Sequence, residues 1–280
     1  MGTGGSNIKL VMSDIDGTIL DSAHRVDDGL KETLEQLKEQ KVPFILASAR
    51  SPKGMYSLAE ELGIRTSPLA CYNGALVLKE ADSESHQPIL SHEMNKTEVG
   101  VIVDIIKDRF PEITINLYSG EDWYVDKYTR WAEIEAGITK ETPIEKNVQL
   151  LMLSAEMPVH KLLLIGTPQE IERLQAYCQA LKLESSSFYL SKENYLEVTH
   201  CDVSKERALL ELASYYQVDL EETMAIGDNF NDIPMLKLAG LGVSMANAPI
   251  EVQEAADIKT FSNNENGVSK ALQKYVLGTK

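Results

Sequence analysis

Basic charge is scarce in this 280-residue chain: 27 Lys and Arg stand against 43 Asp and Glu, a net charge of −16. A surface so acidic repels a nucleic-acid backbone and an anionic bilayer, which argues against either as the main partner. Cysteine is scarce too. Cys71, Cys178 and Cys201 lie far apart with no histidine cluster near them, a pattern of free thiols in a reducing cytoplasm. Long apolar runs are missing. The longest purely aliphatic one, Leu162 to Ile165, is far too short to cross a bilayer. There is no internal repeat and no low-complexity tract. No basic-then-apolar signal segment precedes the first apolar run, and residues 1–7 read as a flexible leader. What remains is ordinary for a globular protein: 43% hydrophobic and 25% charged residues, with length for one large domain or two modest ones.

The most unusual stretch is Ser13-Asp14-Ile15-Asp16-Gly17-Thr18, directly after the apolar run Ile8 to Met12. Side chains alternate along a strand, so Asp14 and Asp16 would share a side if the strand reached that far. Two carboxylates so close ionise together only beside a compensating cation. A metal ion, a split in proton affinity, or both would meet that need. A turn or helix cap is the plainer reading of Asp16-Gly17 alone.

The rhythm around this stretch is strand–helix–strand–helix–strand. Asp27 or Asp28 caps a helix with Leu30, Leu34 and Leu37 at helical spacing. Val42 to Ala47 is an apolar run ending at Ser48-Ala49-Arg50. Pro52 suits the first turn of a helix, and Leu69 to Tyr72 ends at Asn73-Gly74. Such alternation predicts a parallel sheet with helices on its faces. From about Ala81 the pattern changes. Residues 82–86 read as a polar linker, Thr97 to Phe110 as a helix with Val101, Ile105 and Ile106 inward, and Ile113 to Tyr118 as a half-buried strand. Hairpins then mix with helices, as in an α+β domain with an antiparallel sheet. The expected architecture is α/β, a Rossmann-like parallel-sheet core at 8–82 and 192–280, with an inserted α+β domain at 83–191.

In open parallel sheets, ligands gather at the carboxyl ends of the strands. Three such ends carry polar groups here: Asp14 with Asp16, Ser48, and Asp228. Asp228 opens a second acidic cluster, and the spacing of four lets Asp228 and Asp232 face one point. A helix N-terminus rich in Asp and Asn is the plainer reading of that cluster by itself. Two acidic clusters on one sheet favour hard oxygen ligation of Mg²⁺.

These residues resemble the haloacid dehalogenase superfamily, in its Cof-type phosphatases with a large α/β cap. The resemblance rests on Asp14-Ile15-Asp16-Gly17-Thr18, on Ser48 within Ala47–Arg50, on Lys205 within Val203–Lys205, and on Gly227-Asp228 through Asp232, in that order. It implies an Mg²⁺-dependent phosphatase of small phosphorylated metabolites, above all sugar phosphates, working through an aspartyl-phosphate. Asp14 is then the nucleophile, Asp16 the acid and base, and Lys205 the charge that offsets the phosphate. The metal is held by the Asp14 carboxylate, the Asp16 carbonyl and Asp228, with Asp232 behind them. Ile15, Ser48, Ala49 and Asn231 bond the phosphoryl group, while Arg50 and Asn73 help hold the substrate. The inserted domain is a cap that selects the leaving group. Two positions depart from the family pattern, Ala49 and Glu206, where glycine is usual. Glu206 weakens phosphate affinity if it turns inward. A phosphomutase on the same scaffold, and a phospho-accepting regulatory protein, are the alternative functions. The regulatory reading leaves the inserted domain without a role.

Overall fold

The structure is a computed structural model and describes residues 7–27, 29–81, 87–154 and 156–278. Nearly all of the expected leader, the linker at 82–86 and the capping candidate Asp28 lie outside the described residues. The chain divides into two compact units. One comprises Met1–Arg50, Met55–Ile89 and Ser204–Lys280; the other comprises Ser51–Gly54 and Leu90–Val203. The inserted segment therefore runs later at both ends than the expected 83–191. The C-terminal shift has a clear cause. Tyr195–His200 pairs antiparallel with both Lys161–Ile165 and Ser186–Lys192, so it is a strand of the inserted sheet.

In chain order the strands are β1 (Leu10–Asp14), β2 (Phe44–Ala47), β3 (Leu69–Cys71), β4 (Leu76–Leu78), β5 (Pro88–Ser91), β6 (Thr114–Ser119), β7 (Asp122–Val125), β8 (Ile144–Glu145), β9 (Lys161–Ile165), β10 (Ser186–Lys192), β11 (Tyr195–His200), β12 (Thr223–Gly227), β13 (Leu241–Ser244) and β14 (Ile258–Lys259). The first unit is built on an eight-stranded sheet in the order β14-β13-β12-β1-β2-β3-β4-β5. β1 lies inside it, parallel to β2 on one side and β12 on the other. All five residues of β1 are buried, as expected for a strand covered on both faces. The parallel pattern breaks at β4, which runs antiparallel to β3. Only the short turn Tyr72–Gly74 and Ala75 separate the two, too little chain for a parallel crossover.

Helices close the crossovers where apolar spacing predicts them. Leu30–Glu39 buries Leu30, Leu34 and Leu37. It begins after Gly29, and Asp27 accepts from the Gly29 amide instead of capping the helix itself. Ser204 caps Lys205–Tyr216 by accepting from the Arg207 amide at 3.0 Å, which fixes where that helix starts.

The inserted unit has a six-stranded sheet in the order β10-β11-β9-β6-β7-β8, antiparallel except between β7 and β8. One face supplies Ile115, Leu117, Leu162, Leu164, Leu196 and Val198 to an apolar core shared with helices Lys96–Arg109 and Pro168–Ala180. On the first of these helices Val99, Ile102, Val103 and Ile106 point inward, and Val101 is exposed. Of the three positions read as inward from the sequence, Ile106 is buried and Ile105 packs partly buried against this core, while Val101 faces out. β6 is buried along both faces, where alternation suggested a half-buried strand, because its polar side chains find partners: Asn116 donates to the Leu163 carbonyl and accepts from Trp123.

Candidate active site

The central strand ends in an acid. Asp14 is the last residue of β1, beside Ala47 of β2, and Ser13 pairs with Ile226 of β12. Ser48 directly follows β2, and Asp228 directly follows β12, so parallel pairing alone brings three polar strand ends to one edge. Lys205 reaches the same point from the first turn of its helix. Its ammonium, 1% exposed, donates to Asp14 Oδ1 and, at 2.7 Å, to Asp232 Oδ1. The other oxygen of Asp232 accepts from the backbone amides of Asp228 and Asn229 at 3.0 and 2.9 Å. Asp232 therefore holds the lysine with one oxygen and shapes the Asp228 loop with the other.

Thr18 Oγ1 donates to Asp228 Oδ1 at 2.8 Å and fixes the orientation of that carboxylate. Oxygens of Asp14, Asp228 and Asp232 lie within 4.8 Å of one another. Two of these carboxylates, Asp14 and Asp232, bond the one buried lysine and Asp228 stands beside them, so three acids crowd around a single positive charge. Burial pushes the Asp14 carboxyl up, opposed by Lys205 and reinforced by Asp232 and Asp228. Burial likewise raises Asp228. For Lys205 the attraction of Asp14 and Asp232 outweighs burial and holds the ammonium charged. A divalent cation among the carboxylates would neutralise the excess, so the donor set, all hard oxygen, fits Mg²⁺.

Asp16 stands apart from this cluster. β1 stops at Asp14, and Asp16 sits on the following turn, exposed. Arg50 grips it from the loop after β2, with Nε donating to Oδ2 at 2.9 Å and Nη2 to Oδ1. The sequence reading gave Arg50 to the substrate and did not foresee this pairing. Ser48 is buried and accepts from the Arg50 amide at 3.3 Å, and its carbonyl accepts from the Asn73 amide at 2.7 Å. Tyr72 and Asn73 both adopt positive φ, 52° and 57°, which turns the chain back toward Ser48. Asn231 Nδ2 lies 3.5 Å from Asn73 Oδ1, so these two amides meet at the same edge. Ile15 is fully buried and Ala49 partly so, next to Asp14 and Ser48 respectively. Glu206 is exposed, so the departure from the usual glycine turns its charge outward.

Two contributors escaped the sequence reading. Thr18 was visible only as part of a motif, with no sign of its Asp228 partner. Asn247 donates to the Gly17 carbonyl at 2.9 Å and accepts from the Asn263 amide, bracing the turn that follows Asp14.

An α/β sheet with acids converging at its strand ends, and a lysine among them, suits a protein that handles phosphoryl groups. The chain belongs to the haloacid dehalogenase-like hydrolase family, whose model matches residues 11–272, and within it to the Cof-type phosphatases. A Haemophilus influenzae protein named "Putative phosphatase" is 32% identical over 267 residues, covering 95% of this chain and 97% of its own length. A haloacid dehalogenase-like hydrolase from Bacteroides thetaiotaomicron superposes with a TM-score of 0.85 at 27% identity, covering 95% of this chain and 99% of that one. TM0651 from Thermotoga maritima gives 0.85 at 29% identity, covering 95% and 97%. The enzyme is accordingly a phosphoric monoester hydrolase, of a family that generally uses a divalent metal. No helix among the described residues is long and apolar enough to cross a membrane.

Proposed function

We propose that this enzyme is an Mg²⁺-dependent, cytoplasmic phosphatase of small phosphorylated metabolites, above all sugar phosphates, and that Asp14 is its nucleophile. The observation that supports this most is Lys205, buried and bonded at once to Asp14 and Asp232. A buried lysine between two carboxylates adds little to stability, which favours a catalytic task for it: holding the nucleophile in place and, with a divalent cation among the carboxylates, offsetting the charge of an incoming phosphoryl group.

Asp14 attacks phosphorus and forms an acyl-phosphate as the P–O bond to the alcohol breaks. A protonated Asp16 gives its proton to the leaving oxygen. Asp16, now a carboxylate, takes a proton from water, whose oxygen attacks phosphorus, releasing phosphate and restoring Asp14. Mg²⁺ would be held by the Asp14 carboxylate, the Asp16 carbonyl and Asp228, with Asp232 behind, and would offset the charge of the phosphoryl oxygens. Lys205 adds to that offset. Ser48, Asn231 and the Ile15 and Ala49 amides bond the phosphoryl oxygens, and Asn73 helps hold the substrate. The inserted unit acts as the cap that selects the leaving group. The three free cysteines accord with a reducing compartment.

Asp14→Asn tests the reading, with phosphate release from p-nitrophenyl phosphate measured in Mg²⁺. The variant loses all detectable turnover. Unchanged turnover overturns the proposal.

A further inference from the structure

Asp16 stands beyond the end of β1, on an exposed turn, so its place depends on what braces that turn. The amides of Thr18, Ile19 and Leu20 converge on the Ile15 carbonyl at 3.3, 3.0 and 3.0 Å. An isolated bridge then pairs Asp16 with Leu20. Asp14, in contrast, is anchored in β1 between β2 and β12.

The brace comes from the two outer strands of the same unit. β13 runs parallel to β12, and β14 parallel to β13, so the loops that follow them open at the edge where β1 and β12 end. The loop after β13 carries Asn247, and the loop after β14 carries Asn263 and Asn264. Asn247 Nδ2 donates to the Gly17 carbonyl at 2.9 Å, and its Oδ1 accepts from the Asn263 amide at 2.9 Å. Asn263 Nδ2 donates at 2.9 Å to the carbonyl of Leu20, the residue bridged to Asp16. Asn264 accepts from the Ser22 amide and donates to Ser22 Oγ, each at 3.0 Å.

Both loops are themselves tied down. Gln253 Nε2 donates to the carbonyls of Ala246 and Ala248, on either side of Asn247, at 3.2 and 2.7 Å. Ser262 Oγ donates to Glu265 at 2.6 Å and closes the turn that Asn263 begins. Asn247 is exposed, and an exposed side-chain hydrogen bond adds little to folding. An amide with both ends engaged there is explained by the turn it holds. Aspartate lacks the donor for Gly17, and alanine lacks donor and acceptor alike.

We propose that Asn247, seated on the Asn263 loop, is a positioning residue that keeps the turn carrying Asp16 where its carboxyl reaches the leaving oxygen. The inference rests on the acid role given to Asp16 above. Loosening the turn displaces Asp16 and leaves Asp14 in the sheet, so proton delivery suffers more than nucleophilic attack.

Phenyl phosphate and p-nitrophenyl phosphate separate these two effects. Phenolate leaves poorly without a proton, whereas the nitro group stabilises p-nitrophenolate and reduces its need for an acid. Because kcat/KM covers the steps up to departure of the alcohol, it is measured for both substrates in the wild type, Asn247→Ala, Asn247→Asp and Asp16→Asn. In both Asn247 variants the phenyl to p-nitrophenyl ratio of kcat/KM falls about tenfold, a part of what a general acid contributes. Their melting temperatures stay within about 4 °C of the wild type, the scale of one exposed hydrogen bond in a chain of this size. A merely structural role lowers both substrates alike, so an unchanged ratio in either variant overturns the inference. If Asp16→Asn loses phenyl phosphate hydrolysis while the Asn247 variants keep the wild-type ratio, the acid role stands and the inference alone falls. An Asp16→Asn that hydrolyses phenyl phosphate as well as the wild type overturns the acid role, and the inference with it.

Discussion

Thr18 and Asp228 are 210 residues apart in the chain and joined by a 2.8 Å hydrogen bond. Between Asp16 and Thr18 the backbone passes through Gly17 at φ 84°, where an added Cβ would lie 2.3 Å from Asp228 Oδ2. The turn after Asp14 is therefore shaped against the second acidic cluster, and only glycine permits the approach. In Gly17→Ala the Asp228 carboxylate must move or the turn must open. The strain is of the order of 1–3 kcal/mol, and it falls on the carboxylate assigned to the metal. The expected outcome is an Mg²⁺ requirement raised at least tenfold, read as the activation constant for p-nitrophenyl phosphate hydrolysis. An unaltered activation constant would separate Asp228 from the metal.

Lys205 offers a test in stability as well as activity. Removing its charge in Lys205→Met leaves Asp14 and Asp232 buried without their common partner. Breaking a buried pair from one side costs about 3–5 kcal/mol. Denaturant unfolding should show that loss without metal and a smaller one in excess Mg²⁺, since a cation bound among the same carboxylates substitutes for part of the lost charge. Equal losses in both conditions would mean that the metal does not sit beside Asp14 and Asp232.

Most of this site was readable because its residues stand at element boundaries, where apolar runs stop. Asp14 ends a buried strand, and Ser48 and Asp228 directly follow buried strands, so local pattern located them, whereas Lys205, a lone lysine at a helix start, was found only through the family resemblance. The pairing of Arg50 with Asp16 and of Thr18 with Asp228 was not readable, because each depends on which strands become neighbours. The inserted unit hid more. Its polar face alternates with apolar residues as any strand does, and nothing local distinguishes a buried Glu197 from a solvated one. Val101 illustrates the same limit: with apolar residues at 99, 101, 102, 103, 105 and 106, several helix faces look equally apolar, and packing selects 99, 102, 103 and 106.

Arg50 holds both oxygens of Asp16 with two nitrogens, a geometry that lysine cannot reproduce. For Asp16 to carry a proton to the leaving oxygen one of these two bonds must open, and the grip sets where the carboxyl stands when it does. Arg50→Lys keeps the charge and loses the fork. Its expected effect is a fall in kcat of about tenfold or more with p-nitrophenyl phosphate, at the scale of a misplaced general acid. A pronounced rise in KM at constant kcat would instead make Arg50 a substrate contact, the role expected from sequence.

His160 gives the inserted unit a pH-dependent stability of its own. Its Nδ1 accepts from the Gly120 amide at 3.0 Å, so the ring proton is on Nε2, which faces Ser91 Oγ at 3.0 Å. Burial lowers the imidazole from 6.5 to about 4. Above pH 6.5 the ring is neutral whether folded or unfolded, and its contribution is fully present. As pH falls below 6.5 the unfolded chain takes up a proton that the folded one refuses, so stability declines until pH reaches about 4 and the folded ring is protonated too. The whole loss is at most about 3 kcal/mol, from 1.36 kcal/mol per unit of pKa difference. His160→Gln cannot take up that proton, so its stability should fall less than the wild type's between pH 6.5 and pH 4. Parallel pH profiles for the two proteins, measured by denaturant unfolding, would show that His160 is not held neutral in the folded state.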